Sequence, residues 1–156
     1  MTVTLYGDWD KLLNKMQKLT KYLVPQAKAK LYEDGKIVVE MLQSHIDNQD
    51  LPWPSLAEVT LKQKDIQDTY IETGELKNSF CINTVRSGGN DVKYFIGVPP
   101  SQVHKESGLK YTELLMYMEY GTMTQPPRPL VAPTSREVQN RFKKEWKDFF
   151  AKEVRE

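Results

Sequence analysis

Ser79-Phe80-Cys81-Ile82-Asn83-Thr84-Val85-Arg86-Ser87-Gly88-Gly89-Asn90-Asp91-Val92-Lys93-Tyr94-Phe95-Ile96-Gly97-Val98 is the stretch that decides the fold. Before the Ser87–Asp91 run, Phe80, Ile82 and Thr84 alternate with Cys81, Asn83 and Val85. After it, Val92, Tyr94, Ile96 and Val98 fall on one face. Two runs of period two around a Gly-Gly-Asn reversal predict an antiparallel hairpin. The long segments elsewhere in the chain read as helix. The expected class is therefore α+β: a long N-terminal helix, a small antiparallel sheet built on this central hairpin, and a C-terminal amphipathic helix, all in one domain spanning 1–156.

Moving toward the N-terminus, Thr73-Gly74-Glu75-Leu76 reads as a turn into one helical turn. Asn48 to Ser55 is a loop in which Pro52 and Pro54 flank Trp53. That indole either covers the edge of its own core or docks on a neighbouring molecule. Ser55-Leu56-Ala57-Glu58 fits a capping box for a short helix through Lys64. Before the loop, Ala27, Leu31, Val38, Leu42 and Ile46 share one helical face. Trp9, Leu12, Leu13, Met16, Leu19 and Leu23 form an earlier one, with Lys11, Lys15, Lys18 and Lys21 as a solvated face. Asp8 is a suitable N-cap. Pro25 either bends one long helix or opens a second, and Gly35 costs the helix about 1 kcal/mol relative to Ala. A helix this long needs a sheet or another chain to lie against. Val3 to Tyr6 alternates and predicts a short strand.

Moving toward the C-terminus, Pro99-Pro100 ends the second strand, and a polar loop containing His104 follows. Tyr111 to Tyr120 reads as a short helix capped at Thr112. Glu119 to Pro133 follows, with Gly121 to stop the helix and Pro126, Pro127, Pro129 and Pro133 to stiffen an extended connector that displays Arg128. Val138, Phe142, Trp146, Phe149, Phe150 and Val154 then recur at helical steps, a stripe expected to pack on the hairpin or, in part, on another subunit.

The totals exclude several classes. With 22 Lys plus Arg against 21 Asp plus Glu, the net charge of +1 gives no global pull toward nucleic acid or an acidic membrane. The basic residues of the last helix are interleaved with Glu137, Glu145, Asp148, Glu153 and Glu156. The single cysteine, Cys81, forbids an internal disulfide and suits a reducing compartment. Neither a signal peptide nor an apolar run of transmembrane length is evident. The sequence has no GxGxxG, no P-loop, no zinc spacing around His45 or His104, and no nucleophile elbow. The expectation is a protein without catalytic residues, cofactor or metal.

Three elements carry a family resemblance. Thr73-Gly74-x-Leu76-x-x-Ser79 leads into the strands. Met118-Glu119-Tyr120-Gly121-Thr122 is followed by Pro127-Arg128-Pro129-Leu130 before the last helix. Trp53-Pro54-x-Leu56 with Thr60 is similar to a Trp-x-Pro-Leu-x-x-x-Thr element, although here the proline directly follows the tryptophan. With the order of helices and strands around them, these residues resemble the tail-completion and head–tail joining proteins of tailed bacteriophages. The likeness is to the HK97 type and, through the Trp53 element, to the virion morphogenesis proteins of Mu-like phages.

The resemblance implies an α+β fold and a structural role in the virion, at the tail or neck, after assembly in the host cytoplasm. It implies a six- or twelve-fold ring of identical subunits touching neighbouring neck, connector or tail-terminator proteins, without specific nucleic-acid binding or a membrane. A tail terminator or a connector adaptor is the nearest alternative. A nucleic-acid-binding accessory protein is the alternative from another class. A ring subunit needs two different faces that close by rotation. A stiff connector suits one of them, with Arg128 pairing a carboxylate such as Glu119 in the same or a neighbouring subunit. On that reading Arg128→Ala leaves a folded monomer that fails to join heads to tails. The alternative is that the connector wraps its own domain with Glu119 as an internal partner.

Overall fold

A computed structural model describes residues 8–64, 68–70, 73–88, 91–105 and 107–153. The strand expected at Val3–Tyr6 lies outside them. Helix α1 runs Trp9–Asn48 as one element of 40 residues and passes through Pro25. At 1.5 Å per residue it is about 60 Å long. Asp8 occupies its N-cap position without a side-chain capping bond. At the other end Gln49 takes the left-handed conformation, with φ 50°. Its side-chain amide brackets the Thr69 peptide: Nε2 donates to Thr69 O at 2.9 Å, and Oε1 accepts from Thr69 N at 2.9 Å.

The hairpin forms as the alternation predicts. Strands β1 (Cys81–Gly88) and β2 (Asp91–Gly97) pair antiparallel, with Ile82 opposite Ile96 and Thr84 opposite Tyr94. The register shifts between Thr84 and Arg86, leaving Val85 as the extra residue of a bulge. Gly89 and Asn90, at the tip, lie outside the described residues. Both strands pack on α1. Gly35 faces them: a Cβ there would overlap Ile82 Cδ1, the far end of a flexible side chain that would have to turn aside. The sequence marks Gly35 only as a weak point in a helix; in the fold it is buried beneath Ile82 and Ile96.

Three short helices complete the middle of the chain: α2 (Glu58–Lys64), α3 (Glu75–Asn78) and α4 (Tyr111–Tyr120). Two expected caps are not used. Helix α2 starts at Glu58 rather than just after Ser55, whose carbonyl is taken by Arg128. At α4 the cap position is Lys110, not Thr112, and the Lys110 N–H donates to Glu113 Oε2 at 3.3 Å.

Helix α5 (Val131–Glu153) corrects the expectation for the aromatic stripe: it packs on α1 rather than on the hairpin. His45 Nε2 lies 3.5 Å from Glu137, and Lys30 Nζ lies 3.5 Å from Glu145 and 5.4 Å from the centre of the Trp146 ring. Advancing along α5 therefore means retreating along α1, so the helices run antiparallel. Trp146, Phe149 and Phe150 stack edge to face and tilted, with centroids 5.4 to 5.5 Å apart. Val154, the last member of the stripe, lies outside the described residues.

The buried core is Leu42, Ile46, Tyr70, Phe80, Val98, Tyr111 and Leu130, with Val38, Leu51, Trp53, Leu114 and Met118 around it. It sits entirely against the C-terminal half of α1. At the other end, the described side chains of residues 10–22 are exposed except for a partly covered Leu19.

Candidate assembly interface

The proline connector is the centre of a bonded cluster. Its prolines fix φ and leave few N–H groups, so its carbonyls and its few donors must find partners in other segments. Arg128, at 2% exposure, points inward. Its Nε donates to Pro54 O at 2.9 Å and its Nη2 to Ser55 O at 2.9 Å. Its own N–H donates to Met118 O at 2.7 Å. Trp53 Nε1 donates to Pro129 O at 2.7 Å, and Tyr70 Oη to Arg128 O at 2.5 Å. The Trp53 and Tyr70 rings meet at 5.1 Å. The expectation that Arg128 is displayed from the connector is therefore wrong. Two carbonyls of the Trp53 loop are its partners, and Trp53 covers its own core.

Glu119 does not pair with Arg128 among the described residues. It caps α5 instead. Its Oε2 accepts from Leu130 N at 2.7 Å and Val131 N at 2.9 Å, and its Oε1 accepts from Ala132 N at 2.8 Å. A helix start leaves its first N–H groups unpaired and carries partial positive charge. Here Glu119 takes three of them, and the next residue, Pro133, has none to satisfy. Pro133 thus belongs to the first turn of α5 rather than to the connector. That turn holds no acidic residue of its own; Glu119 supplies the charge from the preceding helix.

Gly121 allows the reversal between the two. Its φ is 76°, and a Cβ would lie 2.8 Å from Gln125 O and 2.9 Å from Pro127 N. Thr122 closes the turn: its N–H donates to Gln125 O at 2.9 Å, and its Oγ1 accepts from Gln125 N at 3.1 Å. The side chains between point outward, with Tyr120 at 78% exposure and Met123 fully exposed. Leu130 is wholly buried in the core.

Tyr70 ties the cluster to the core under strain, with φ 69° in a bulky residue. Burial pushes its phenol far above the usual tyrosine range, and the Glu119 charge adds to the shift against an opposing effect of Arg128.

The Thr73–Ser79 element is a separate structure. Gly74 takes φ 73° at the head of α3, Thr73 Oγ1 accepts from Glu75 N at 3.3 Å, and Ser79 Oγ donates to Leu76 O at 2.6 Å. Leu76 packs against the core. Beside it, Glu75 accepts from Tyr111 Oη at 2.6 Å and from Lys105 Nζ at 3.1 Å. These bonds hold the Glu75 carboxyl below its ordinary range, and the Glu75 bond lifts the Tyr111 phenol to about 12.

The two histidines, isolated in sequence, have structural partners. His45 Nδ1 is 2.7 Å from Asp50 Oδ1 at the α1–α5 junction, and His104 Nδ1 is 2.9 Å from Ser107 Oγ in the loop before α4. Among the described residues no group of His, Cys, Asp and Glu is placed to hold a metal ion, and no helix is long and apolar enough to cross a membrane.

Two features escape the sequence reading. One is the reach of Glu119 to α5; a helix start with no acid of its own, followed by Pro133, was the only sign. The other is the exposure of Leu13 and Met16, at 54% and 57%, since their helical spacing reads as an ordinary buried face. No family model, curated protein or solved structure matches the chain.

Proposed function

We propose that the protein is a structural subunit of the head–tail interface of a tailed phage, acting in tail completion or head–tail joining as a ring of identical copies. One observation carries this reading. Trp53, Glu119, Gly121, Arg128, Pro129 and Leu130, which bear the family resemblance, converge although Trp53 and Pro129 stand 76 residues apart. Residues that jointly shape one fold are the kind a family shares for structural reasons. Around that cluster the surface presents Tyr120 and Met123, apolar groups of the kind subunit contacts use.

The test is immunogold labelling of phage particles with an antibody raised against the purified chain. Gold confined to the head–tail junction is expected. Labelling of the capsid shell, of the tail along its length, or of no particle overturns the reading.

A further inference from the structure

We propose that the N-terminal half of α1 docks, in a neighbouring copy of this chain, into the cleft between the end of α1, the Trp53 loop and α2. The contact is head-to-tail and repeats from copy to copy. It rests on the reading of the protein as a ring of identical subunits and names the surfaces that close the ring.

Three observations meet in it. The first is the exposed arm. Near its start, α1 carries Leu13, Met16 and Tyr22 in solvent, each more than half exposed. Lys11, Lys15, Lys18 and Lys21 flank them, and none has an ion-pair partner among the described residues. An amphipathic helix holds its apolar face in water only at a cost, which packing against another surface removes.

The second is the cleft. It has a volume of about 420 Å³, and its lining mixes apolar Leu51, Trp53, Leu56 and Leu61 with polar Gln49, Ser55 and Thr69. Exposed Val59 stands beside it on α2. The rim is acidic. Asp50 lies between two lining residues, Glu58 opens α2, and Asp68 precedes Thr69; all three are exposed. Asp50 Oδ1 is engaged with His45, and Glu58 lies 3.6 Å from Lys62 across one exposed turn, so both keep oxygens open to solvent. An apolar strip bordered by lysines thus faces, in another copy, a cleft of mixed polar and apolar lining with carboxylates near its rim.

The third is the separation of the two surfaces. They lie toward opposite ends of one 40-residue helix, about 40–55 Å apart at 1.5 Å per residue. A rigid helix cannot bring its own ends together. The arm of one copy can reach only the cleft of another, and a contact between two different patches generates rings when the rotation closes.

Cysteine cross-linking of the full chain tests the contact. Met16→Cys and Val59→Cys are made singly and together, and native Cys81 in the unsubstituted chain sets the background. With a short bismaleimide at high protein concentration, the double variant should give a ladder of dimer, trimer and larger species. A mixture of the two single variants should stop at the dimer. Lys15→Glu with Lys18→Glu should lower the ladder about tenfold, and added salt should weaken it. Circular dichroism of each variant establishes that α1 remains folded.

No cross-linking above background overturns the contact. So does a dimer from Met16→Cys alone matching that from the mixture, which would mean symmetric arm-to-arm pairing. A ladder without gold at the head–tail junction leaves the subunit contact standing and removes the phage role; gold at the junction without a ladder does the reverse.

Discussion

The proline connector and the N-terminal half of α1 treat their polar and apolar groups in opposite ways. In the connector almost every group with a preference has it met inside the chain: Arg128 by two carbonyls, Glu119 by three N–H groups, Pro129 O by the Trp53 indole. In α1 the backbone is satisfied by the helix itself, but Leu13 and Met16 stay more than half exposed. Secondary structure and tertiary cover are therefore separate matters. An irregular segment survives in a fold only if other segments satisfy its backbone. A helix needs no such help and can extend past the body that supports its other end. The segment that looked like an arm is internal glue, and the segment that looked like ordinary helix is the arm.

Substitutions can break this contrast. The largest effect is expected for Arg128→Ala, which empties a buried site and leaves the Pro54 and Ser55 carbonyls unpaired. A loss of about 3–4 kcal/mol is expected from urea unfolding. This replaces the expectation of a folded monomer with an assembly defect alone. A loss under about 1 kcal/mol would mean that water serves the two carbonyls as well as the guanidinium does.

Glu119→Ala comes next. It uncovers the N–H groups of Leu130, Val131 and Ala132 at the start of α5 and removes the charge that suits the helix start, for an expected loss of about 2–3 kcal/mol. Glu119→Gln keeps acceptor oxygen without the charge and should recover part of it. Hydrogen exchange at Val131 and Ala132 reports the local effect directly, since both amides should lose protection in the alanine variant.

Tyr70→Phe should cost about 1–1.5 kcal/mol near neutrality, through the lost bond to Arg128 O. It should also change the alkaline limb. The folded protein keeps the Tyr70 and Tyr111 phenols protonated above the ordinary tyrosine range, Tyr111 to about 12. The unfolded chain ionises near pH 10. The stability held by these protons is complete below that pH and is lost as pH rises beyond it. The urea midpoint should fall steeply above about pH 10 in the parent chain and less steeply in Tyr70→Phe.

The smallest effect belongs to the arm. Leu13→Ser with Met16→Ser should change monomer stability by no more than about 0.5 kcal/mol, because neither side chain is buried in the single chain. Sedimentation of concentrated protein should nevertheless show less association. A large loss of monomer stability would mean that these residues are covered within the chain and would erase the contrast.

Much of the fold was legible because it rests on local periodicity. The alternation from Phe80 to Val98 carries its own pairing rule, and the register follows from the short reversal between the strands. Leu42 and Ile46 lie on the buried face their spacing assigns. Periodicity shows that a face is apolar but not what lies against it. That is why the aromatic stripe of α5 was expected on the hairpin and is found on α1, and why Leu13 could not be told from Leu42. The family motifs located the residues of the cluster but not their bonds. Nothing local in Glu119 says that it caps a helix beginning 12 residues later.

By itself the sequence determined the α+β class, the order of the elements, the hairpin, the chain breaks at Gly121 and the prolines, and the absence of a disulfide. These follow from backbone geometry and from patterns a few residues wide. Only the tertiary structure decided which way Arg128 points, what Glu119 binds, what lies against Gly35, and which stretch of α1 is left bare. Each of those depends on groups brought within bonding or contact distance across tens of residues. Short-range pattern carries no information about such distances; the packing of α1 against the hairpin and α5 creates them.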